Sequence, residues 1–204
     1  MVNAWSFASR EAKPGGRADL REKPLSPLIS ILAVMPIRAA TPADAEAIAQ
    51  VHVESWRHAY RDILSTKFLA GLSVEKRQAM WSDSIAKGLP HILVAELNGQ
   101  VVGFSAIGPC RDEGSPPTSF EIWAIYLSQR CWSKGHGREL WLASREIAVV
   151  RGACSISLWV IANNERAIKF YRSAGFMPEA NSLKPLGFGG GQINEVRYIH
   201  RLDG

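Results

Sequence analysis

Residues 133–138 combine small and basic side chains in a pattern that suits anion binding. They follow an apolar run typical of a strand and precede apolar residues at spacings of three and four, which predict a helix. Unpaired backbone N–H groups and the positive end of the helix dipole would therefore point at one spot. Glycines let the backbone approach a phosphate closely, and basic side chains add charge. We call this segment the anion loop, and its residues are Ser133, Lys134, Gly135, His136, Gly137 and Arg138.

The anion loop does not match the two common nucleotide-binding fingerprints. The dinucleotide pattern Gly-x-Gly-x-x-Gly fails because position 140 is leucine, and the string Gly-x-x-x-x-Gly-Lys-Ser/Thr does not occur. A glycine loop alone is equally explained as a tight turn between a strand and a helix. The loop by itself therefore identifies no ligand.

A second group of residues follows the next predicted strand, residues 155–161. Asn164, Ala167 and Tyr171 stand at spacings of three and four, and Gly175-Phe176 comes after them. Together with the anion loop, this group resembles the signature motifs of the GNAT superfamily of N-acetyltransferases. Those motifs are Gln/Arg-x-x-Gly-x-Gly/Ala after the fourth strand and Asn-x-x-Ala-x-x-x-Tyr after the fifth.

The first motif departs from the family pattern at two positions. Trp132 stands where the family typically has glutamine or arginine, and Ser133 stands where glycine is frequent. Neither change removes the backbone groups of the anion loop. The resemblance covers residues 36–202.

The resemblance implies an α/β (α+β) fold, with a mixed, mostly antiparallel central sheet of six or seven strands flanked by helices. The fourth and fifth strands would splay apart beside a bulge in the fourth. The pantetheine arm of acetyl-CoA would lie in the gap like an added strand, with the pyrophosphate on the anion loop. Backbone N–H groups near the end of the fourth strand would also steady the developing oxyanion. The fourth-strand residues implied to bind the cofactor are Ile125, Tyr126 and Leu127.

Tyr171 is the residue that we predict to protonate the leaving thiolate. It lies seven residues after Asn164, two helical turns on, and therefore on the same face. An unperturbed tyrosine is less acidic than a thiol by about 1.5 pKa units, so complete proton transfer costs about 2 kcal/mol. Tyr171 would therefore act by hydrogen bonding, or the site would lower its pKa. The alternative is that Tyr171 closes the core against Phe176.

The resemblance assigns roles to two further polar residues. Asn164 would contact the cofactor, although asparagine is also favoured at helix N-caps and could serve both roles. Glu121, on the predicted fourth strand, would deprotonate the acceptor amine directly or through water. The alternative is a charge that faces solvent at the start of the strand. Some protein-acetylating relatives carry a glutamate five residues before the motif asparagine, and Trp159 in that position weakens assignment to N-terminal protein acetylation.

The acceptor pocket is predicted from the first helices. Thr41 is the predicted N-cap of a helix, followed by proline at the first helical position, and residues 57–64 continue as a second short helix or turn. In the family this region lies over the acceptor, which implies that Trp56 and Tyr60 line the substrate pocket. The alternative is that they pack the two helices together. His52 on the same apolar stripe is predicted to be a core or edge histidine.

Local signals predict the next helix and a hairpin. Ser73 is the predicted N-cap of a helix that ends at Gly88. Asn98-Gly99 between two apolar segments predicts a hairpin of residues 91–97 and 100–108.

The C-terminal part is predicted to complete the sheet. Residues 120–127 form the next predicted strand, and residues 176–183 and 192–202 the last strand pair. The glycine-rich residues 184–191 between them are predicted to be a mobile connection.

The composition is that of a globular domain with a mild positive charge. Of 204 residues, 47% are hydrophobic and 21% charged, and 24 Lys+Arg against 19 Asp+Glu give a net charge of +5. This charge suits a polyanion such as acetyl-CoA, and no basic run with interleaved aromatic residues indicates nucleic-acid binding. No apolar run is long enough for a membrane span. Three cysteines without Cys-x-x-Cys pairing predict neither a disulfide framework nor a zinc site, and fit a reducing cytoplasm.

The chain is predicted to consist of one domain and an extension. Residues 1–34 contain prolines, glycines and mixed charges without periodicity, so we predict a disordered or loosely attached extension ahead of an acetyltransferase domain at 35–204. Many relatives are homodimers, but no residue here identifies an interface.

The sequence thus predicts an acetyl-CoA-dependent N-acetyltransferase that needs no metal. The acceptor would be a primary amine of a small molecule, attacking directly in a ternary complex. One alternative is a protein N-terminal or lysine acetyltransferase. The other is a non-catalytic, coenzyme A-binding regulatory module.

Overall fold

The computed structural model describes residues 35–188 and 191–202. Residues 1–34, for which a disordered or loosely attached extension is predicted, lie outside the described residues. The described residues form an eight-stranded sheet with helices packed against it. None of the described helices is long and apolar enough to cross a membrane.

Strands and helices are numbered in chain order. The strands are β1 Ile37–Ala39, β2 His91–Leu97, β3 Gln100–Pro109, β4 Ser119–Leu127, β5 Ser155–Ile161, β6 Met177–Pro178, β7 Lys184–Phe188 and β8 Gly191–Arg201. The α-helices are α1 Ala45–Ala59, α2 Thr66–Ala70, α3 Val74–Lys87, α4 His136–Val150 and α5 Glu165–Ser173. Short 3₁₀ turns precede α1 and α4, at Pro42–Asp44 and Gln129–Cys131.

The strand order confirms the predicted fold class. The order is β1-β2-β3-β4-β5-β8-β6, and β7 also pairs with β8. Strands β4 and β5 are parallel, whereas the other described pairs are antiparallel. The sheet is therefore mixed and mostly antiparallel, with eight strands rather than the six or seven predicted.

The additional strand arises in the C-terminal region, where the prediction of a mobile connection at residues 184–191 is wrong. Most of that segment is β7, which pairs with β8, while the predicted strand 176–183 shortens to β6. Ser182 accounts for the break between β6 and β7. Its hydroxyl accepts the N–H of Arg197 at 3.0 Å and donates to the carbonyl of Glu179 at 2.8 Å, so a side chain replaces the backbone as the partner of β8.

Helix α3 and the β2–β3 hairpin confirm the predictions made from local signals. The Ser73 hydroxyl accepts the N–H of Lys76 at 3.0 Å, and Gly88 ends the helix with a left-handed φ of 67°. The hairpin turns through Asn98 and Gly99, whose φ values of 52° and 73° are both positive.

The chain between α1 and α3 differs in part from the prediction. Helix α1 extends through Ala59, so residues 57–64 are a helix end followed by a turn, in which the carbonyl of Tyr60 accepts the N–H of Leu64 at 2.8 Å. Helix α2 was not predicted. It is only five residues long and is capped by the Ser65 hydroxyl, which accepts the N–H of Phe68 at 3.2 Å.

Neighbouring residues of β3 show that α1 and α3 lie on one face of the sheet and α4 on the other. Phe104 packs edge-on against Trp81 of α3, with ring centroids 5.0 Å apart. The next residue, Ser105, lies 2.7 Å from the hydroxyl of Ser144 on α4. Successive residues of a strand point to opposite faces, so the helices cover both sides of β3.

The predicted splay of the fourth and fifth strands is present between β4 and β5. Their pairing covers only Ser119–Glu121 of β4 and Ser155–Ser157 of β5, although β4 stays paired with β3, and β5 with β8, to their far ends. Trp123 is an extra residue on β4 at a shift in the β3–β4 register, which is a β-bulge. We call the space between the diverging ends of β4 and β5 the gap.

Candidate functional site

The anion loop lies at the N-terminus of α4, as predicted. Gly135 is the N-cap and adopts a left-handed φ of 88°, and Ser133 also has a positive φ of 60°. A Cβ at Gly135 would meet no atom within 4 Å, so the space in front of its backbone is open. The N–H of Arg138 donates to the Gly135 carbonyl at 2.9 Å, which closes the first turn. The loop thus presents the start of a helix dipole to an open space, where an anion fits.

The side chains of the anion loop differ in their surroundings. Ser133, Lys134 and Arg138 are exposed, and Gly137 is buried in the first turn of α4. The ring of His136 lies 3.3 Å from the carboxylate of Glu139 on the same helix. His136 is therefore suited to contribute its backbone N–H, and the basic side chains remain available in solvent.

Trp132, the departure from the family motif, positions an arginine that the sequence analysis missed. Its indole N–H donates to the carbonyl of Leu127 at 2.7 Å, and the guanidinium of Arg166 lies 3.8 Å from its ring centroid. Burial, followed by the charge of Arg61, lowers the pKa of Arg166. No described carboxylate forms an ion pair with Arg166. The available signal was an arginine two residues after the motif asparagine, together with an aromatic residue at position 132.

The backbone of β4 is only partly available to a ligand. The carbonyl of Leu127 accepts the Trp132 indole N–H and also the Ser55 hydroxyl at 3.2 Å. A carbonyl oxygen has two lone pairs, so both are used. Of the Leu127 backbone, only the N–H is therefore left to bind the cofactor. The roles of Ile125, Tyr126 and Leu127 in cofactor binding stay predictions.

Asn164 caps α5 and keeps a spare donor. Its side-chain oxygen accepts the N–H of Ala167 at 3.0 Å, so the predicted N-cap is present. The side chain is buried, and its Nδ2 has no hydrogen-bond partner among the described residues. A buried amide that lacks a partner is costly, so this group fits a ligand that supplies an acceptor.

Tyr171 has a similar spare group. Its side chain is 2% exposed and packs edge-on against Phe176, with centroids 5.7 Å apart, so the predicted core contact is present. Its hydroxyl nevertheless has no hydrogen-bond partner within the described residues. Burial, and then the nearby Tyr126, raise the pKa of Tyr171 well above its ordinary value. Of the two predicted alternatives, this direction favours action by hydrogen bonding over a lowered pKa, because burial disfavours the phenolate.

Trp56 and Tyr60 are buried at the end of α1, 3% and 0% exposed. Their rings meet edge-on with centroids 5.1 Å apart, and the Trp56 ring lies 6.5 Å from that of Phe68 on α2, so the predicted alternative of packing between helices is present for Trp56. Burial, followed by the neighbouring Tyr126 and Tyr171, raises the pKa of Tyr60. Tyr60 thus neighbours two other buried tyrosines, and a substrate role for Trp56 and Tyr60 stays a prediction.

His52 is a core histidine, as predicted. Its ring stacks on Tyr126 with centroids 5.0 Å apart, and its Nδ1 accepts the indole N–H of Trp81 at 3.1 Å. Burial, followed by the charge of Arg77, lowers the pKa of His52 to about 3. His52 is therefore neutral, and it holds Tyr126 in place.

Glu121 lies in surroundings that were not predicted. It is 1% exposed, so the alternative of a solvent-facing charge is wrong. Its carboxylate accepts the backbone N–H and the Nε of Arg111, each at 3.0 Å, and also pairs with a terminal guanidinium nitrogen. Glu121 stands opposite Ser157, at the paired end of β4 and β5. Both carboxylate oxygens are thus bonded to Arg111, and the residue lies away from the open end of the gap. A general-base role for Glu121 stays a prediction, and this geometry does not support it.

Comparisons with known proteins show the family of the chain. Residues 53–176 match the model of the acetyltransferase (GNAT) family. The chain is 31% identical over 160 residues to the uncharacterized N-acetyltransferase YuaI of Bacillus subtilis (strain 168), covering 78% of this chain and 89% of YuaI.

Two solved structures have a similar fold. One is PaiA N-acetyltransferase from Thermoplasma acidophilum in complex with coenzyme A, with a TM-score of 0.67, 21% identity, and coverage of 83% of this chain and 99% of that one. The other is ribosomal-protein-alanine N-acetyltransferase from Brucella melitensis, with a TM-score of 0.66, 25% identity, and coverage of 82% and 100%. Because the family model matches more than half of the chain and includes both motifs, this protein belongs to the GNAT family of acetyltransferases.

Proposed function

We propose that this protein is an acetyl-CoA-dependent N-acetyltransferase that acetylates the primary amine of a small molecule. The observation that carries the proposal is a pair of buried polar groups without described partners, Asn164 Nδ2 and Tyr171 Oη, on the helix that follows the splayed strand β5. The GNAT family and a structural neighbour bound to coenzyme A support the choice of cofactor.

Each part of the site has a binding or proton-handling role in this proposal. The anion loop binds the pyrophosphate through backbone N–H groups, and Lys134 and Arg138 add positive charge. Asn164 Nδ2 donates to the pantetheine arm. When bound, acetyl-CoA supplies the thioester that the amine attacks.

Tyr171 acts as a hydrogen-bond donor to the leaving sulfur. Its raised pKa keeps the phenol protonated across the neutral range, so a proton is always present on Oη. The same shift opposes complete transfer of that proton, because the phenolate would be left buried. A hydrogen bond that strengthens as charge develops on sulfur stabilises the transition state without that cost.

The second candidate function is acetylation of a protein N-terminus. The Brucella melitensis neighbour, which is named a ribosomal-protein-alanine N-acetyltransferase, supports a protein acceptor at 25% identity. Trp159 opposes it, because its indole N–H is bonded to Asp112 at 3.1 Å and the glutamate that some protein-acetylating relatives carry is absent. We therefore favour a small amine as acceptor.

The direct test measures acetyl transfer. Purified protein is incubated with acetyl-CoA and either simple primary amines or peptides with a free N-terminal alanine, and thiol release and the amide product are measured. We expect amine-dependent thiol release and an acetylated small amine. Acetylation confined to peptides would favour the second candidate. A folded protein that neither binds acetyl-CoA nor releases thiol would contradict both.

Arg166 provides a further prediction about cofactor binding. Arg166→Gln keeps a polar side chain but removes the cation that Trp132 holds near the anion loop. We expect the Kd for acetyl-CoA to rise about tenfold, because a charge-assisted contact to a phosphate is lost. Calorimetry at two salt concentrations measures both the loss and a weaker salt dependence.

Arg145→Gln is the matched control for that measurement. Arg145 lies in the middle of α4, away from the anion loop, and its removal changes the net charge equally. Its Kd should stay within twofold of wild type. Equal Kd values for both variants would show that Arg166 does not contact the cofactor.

A further inference from the structure

Glu195 on β8 is a buried carboxylate to which the site described above gives no role. It is 4% exposed, and it pairs in register with Ile161 at the end of β5 and with Lys184 of β7. One carboxylate oxygen, Oε1, lies 3.5 Å from the ammonium of Lys184. The other, Oε2, is buried without a hydrogen-bond partner among the described residues.

The carboxylate of Glu195 thus has one oxygen paired with Lys184 and one oxygen that can still accept a hydrogen bond from a second donor. Burying a carboxylate is costly unless both oxygens are satisfied, so Oε2 has a strong preference for a cationic N–H group. Glu121 provides the contrast. Its two oxygens are both bonded to Arg111, and it has no capacity for a ligand.

The position of Glu195 connects it with the catalytic end of the gap. Ile161, its partner on β5, comes three residues before Asn164, where the second motif begins. The charge of Glu195 also contributes to the raised pKa of Tyr60, after burial and the neighbouring Tyr126 and Tyr171. Ile161 is also the last residue of β5, at the end that has diverged from β4, so Glu195 lies beside the gap.

The pKa of Glu195 is raised, first by burial and to a smaller extent by Asp112, and the Lys184 ammonium opposes this rise. A second cation at Oε2 would oppose it further. Asp112 is itself paired with Arg197 at 2.9 Å, which limits its repulsion. The Lys184 ammonium is held 3.3 Å from the ring centroid of Trp159, so it stays beside Oε1 and leaves Oε2 open.

We propose that Glu195 binds the ammonium group of the acceptor through Oε2, and that the acceptor is a cationic primary amine. Oε2 then accepts one proton from this ammonium, so that the nitrogen attacks the thioester as a neutral amine. This inference rests on the proposed N-acetyltransferase function and adds to it the residue that selects the charge of the acceptor. Trp159, two residues before Ile161 on β5, lies on the same face of the sheet as Glu195 and provides an aromatic boundary, which suits an ammonium group attached to an apolar body.

The test compares Glu195→Gln with wild type, using n-butylamine and 2-phenylethylamine as probes at saturating acetyl-CoA. Glutamine keeps the shape and removes the charge. We expect kcat/KM for both amines to fall about 30-fold, because the amine loses both a hydrogen bond to a charged group and the acceptor of its proton. The Kd for acetyl-CoA, measured by calorimetry, should stay within twofold of wild type.

Two further variants keep the outcome interpretable. Glu195→Asp retains the charge on a shorter side chain and should recover part of the lost kcat/KM. Glu96→Gln removes a carboxylate on β2 that pairs with Arg38, and it should leave the amine KM unchanged, because β3 separates β2 from β4. Melting temperatures show whether each variant is folded.

The outcomes separate this inference from the proposed function. Unchanged amine kcat/KM in Glu195→Gln, or a wild type that binds acetyl-CoA but acetylates neither amine, would overturn the role of Glu195 and leave cofactor binding intact. A wild type that does not bind acetyl-CoA would instead overturn the proposed function itself.

Discussion

Gly135→Asp is expected to abolish acetyl-CoA binding while the protein stays folded. The Cβ of the new side chain enters open space, and the left-handed backbone costs about 1–2 kcal/mol, less for aspartate than for most residues. Aspartate at a helix N-cap also stabilises the helix. Its carboxylate, however, occupies the space in front of the anion loop and repels a pyrophosphate there. We expect the Kd to rise more than about 100-fold by calorimetry, which corresponds to more than about 2.7 kcal/mol.

Two control variants separate charge from backbone strain. Gly135→Asn has nearly the same size and conformational tolerance without the charge, and should weaken binding much less. Gly152→Asp introduces the same residue at another left-handed glycine, with φ of 74° and open space around its Cβ, at the opposite end of α4. It should leave the Kd unchanged. Micromolar binding by folded Gly135→Asp would exclude the anion loop as the pyrophosphate site.

Tyr171→Phe is expected to lower kcat about 100-fold without weakening acetyl-CoA binding more than about threefold. The variant removes only the hydroxyl that would donate to the leaving sulfur, and the ring contact with Phe176 remains. The acetyl-transfer assay measures kcat, and calorimetry measures the Kd. Tyr198→Phe, at another buried tyrosine on β8, is the matched control and should keep its activity.

Tyr171→Phe is also expected to change the stability of the ligand-free protein. The Tyr171 hydroxyl is buried without a partner among the described residues, so its removal ends a desolvation cost of about 1–3 kcal/mol. We therefore expect the melting temperature of ligand-free Tyr171→Phe to equal or exceed that of wild type. A variant that is both less stable and fully active would show that Tyr171 is only a core residue.

The pH dependence of kcat tests the state of the Tyr171 proton. Its pKa lies well above the ordinary value of about 10, so the phenol is protonated at every pH below that value. No decrease in kcat from Tyr171 ionisation should occur between pH 7 and about 9.5. A decrease in that range that disappears in Tyr171→Phe would contradict the direction of the shift.

The sequence by itself determined the features that depend on residues close together in the chain. The anion loop, the Asn164 cap and the cap of α3 by Ser73 each require only a few neighbouring residues of the right type. The splay of β4 and β5 followed from the resemblance carried by two such local motifs. Hairpin β2–β3 was likewise predictable, because a two-residue turn determines its register.

Only the tertiary structure decided the features that depend on distant residues. The sequence does not show whether a glutamate on a strand has partners for both carboxylate oxygens. Glu121 has them through Arg111, whereas Glu195 keeps one oxygen without a partner among the described residues. Strand β7 was missed because its pairing with β8 is not encoded in its own five residues, which include a proline and a glycine. The burial and the ion pairs of a titratable side chain depend on which segments meet in the folded chain. These contacts decide whether the side chain stabilises the fold or remains able to bind a substrate.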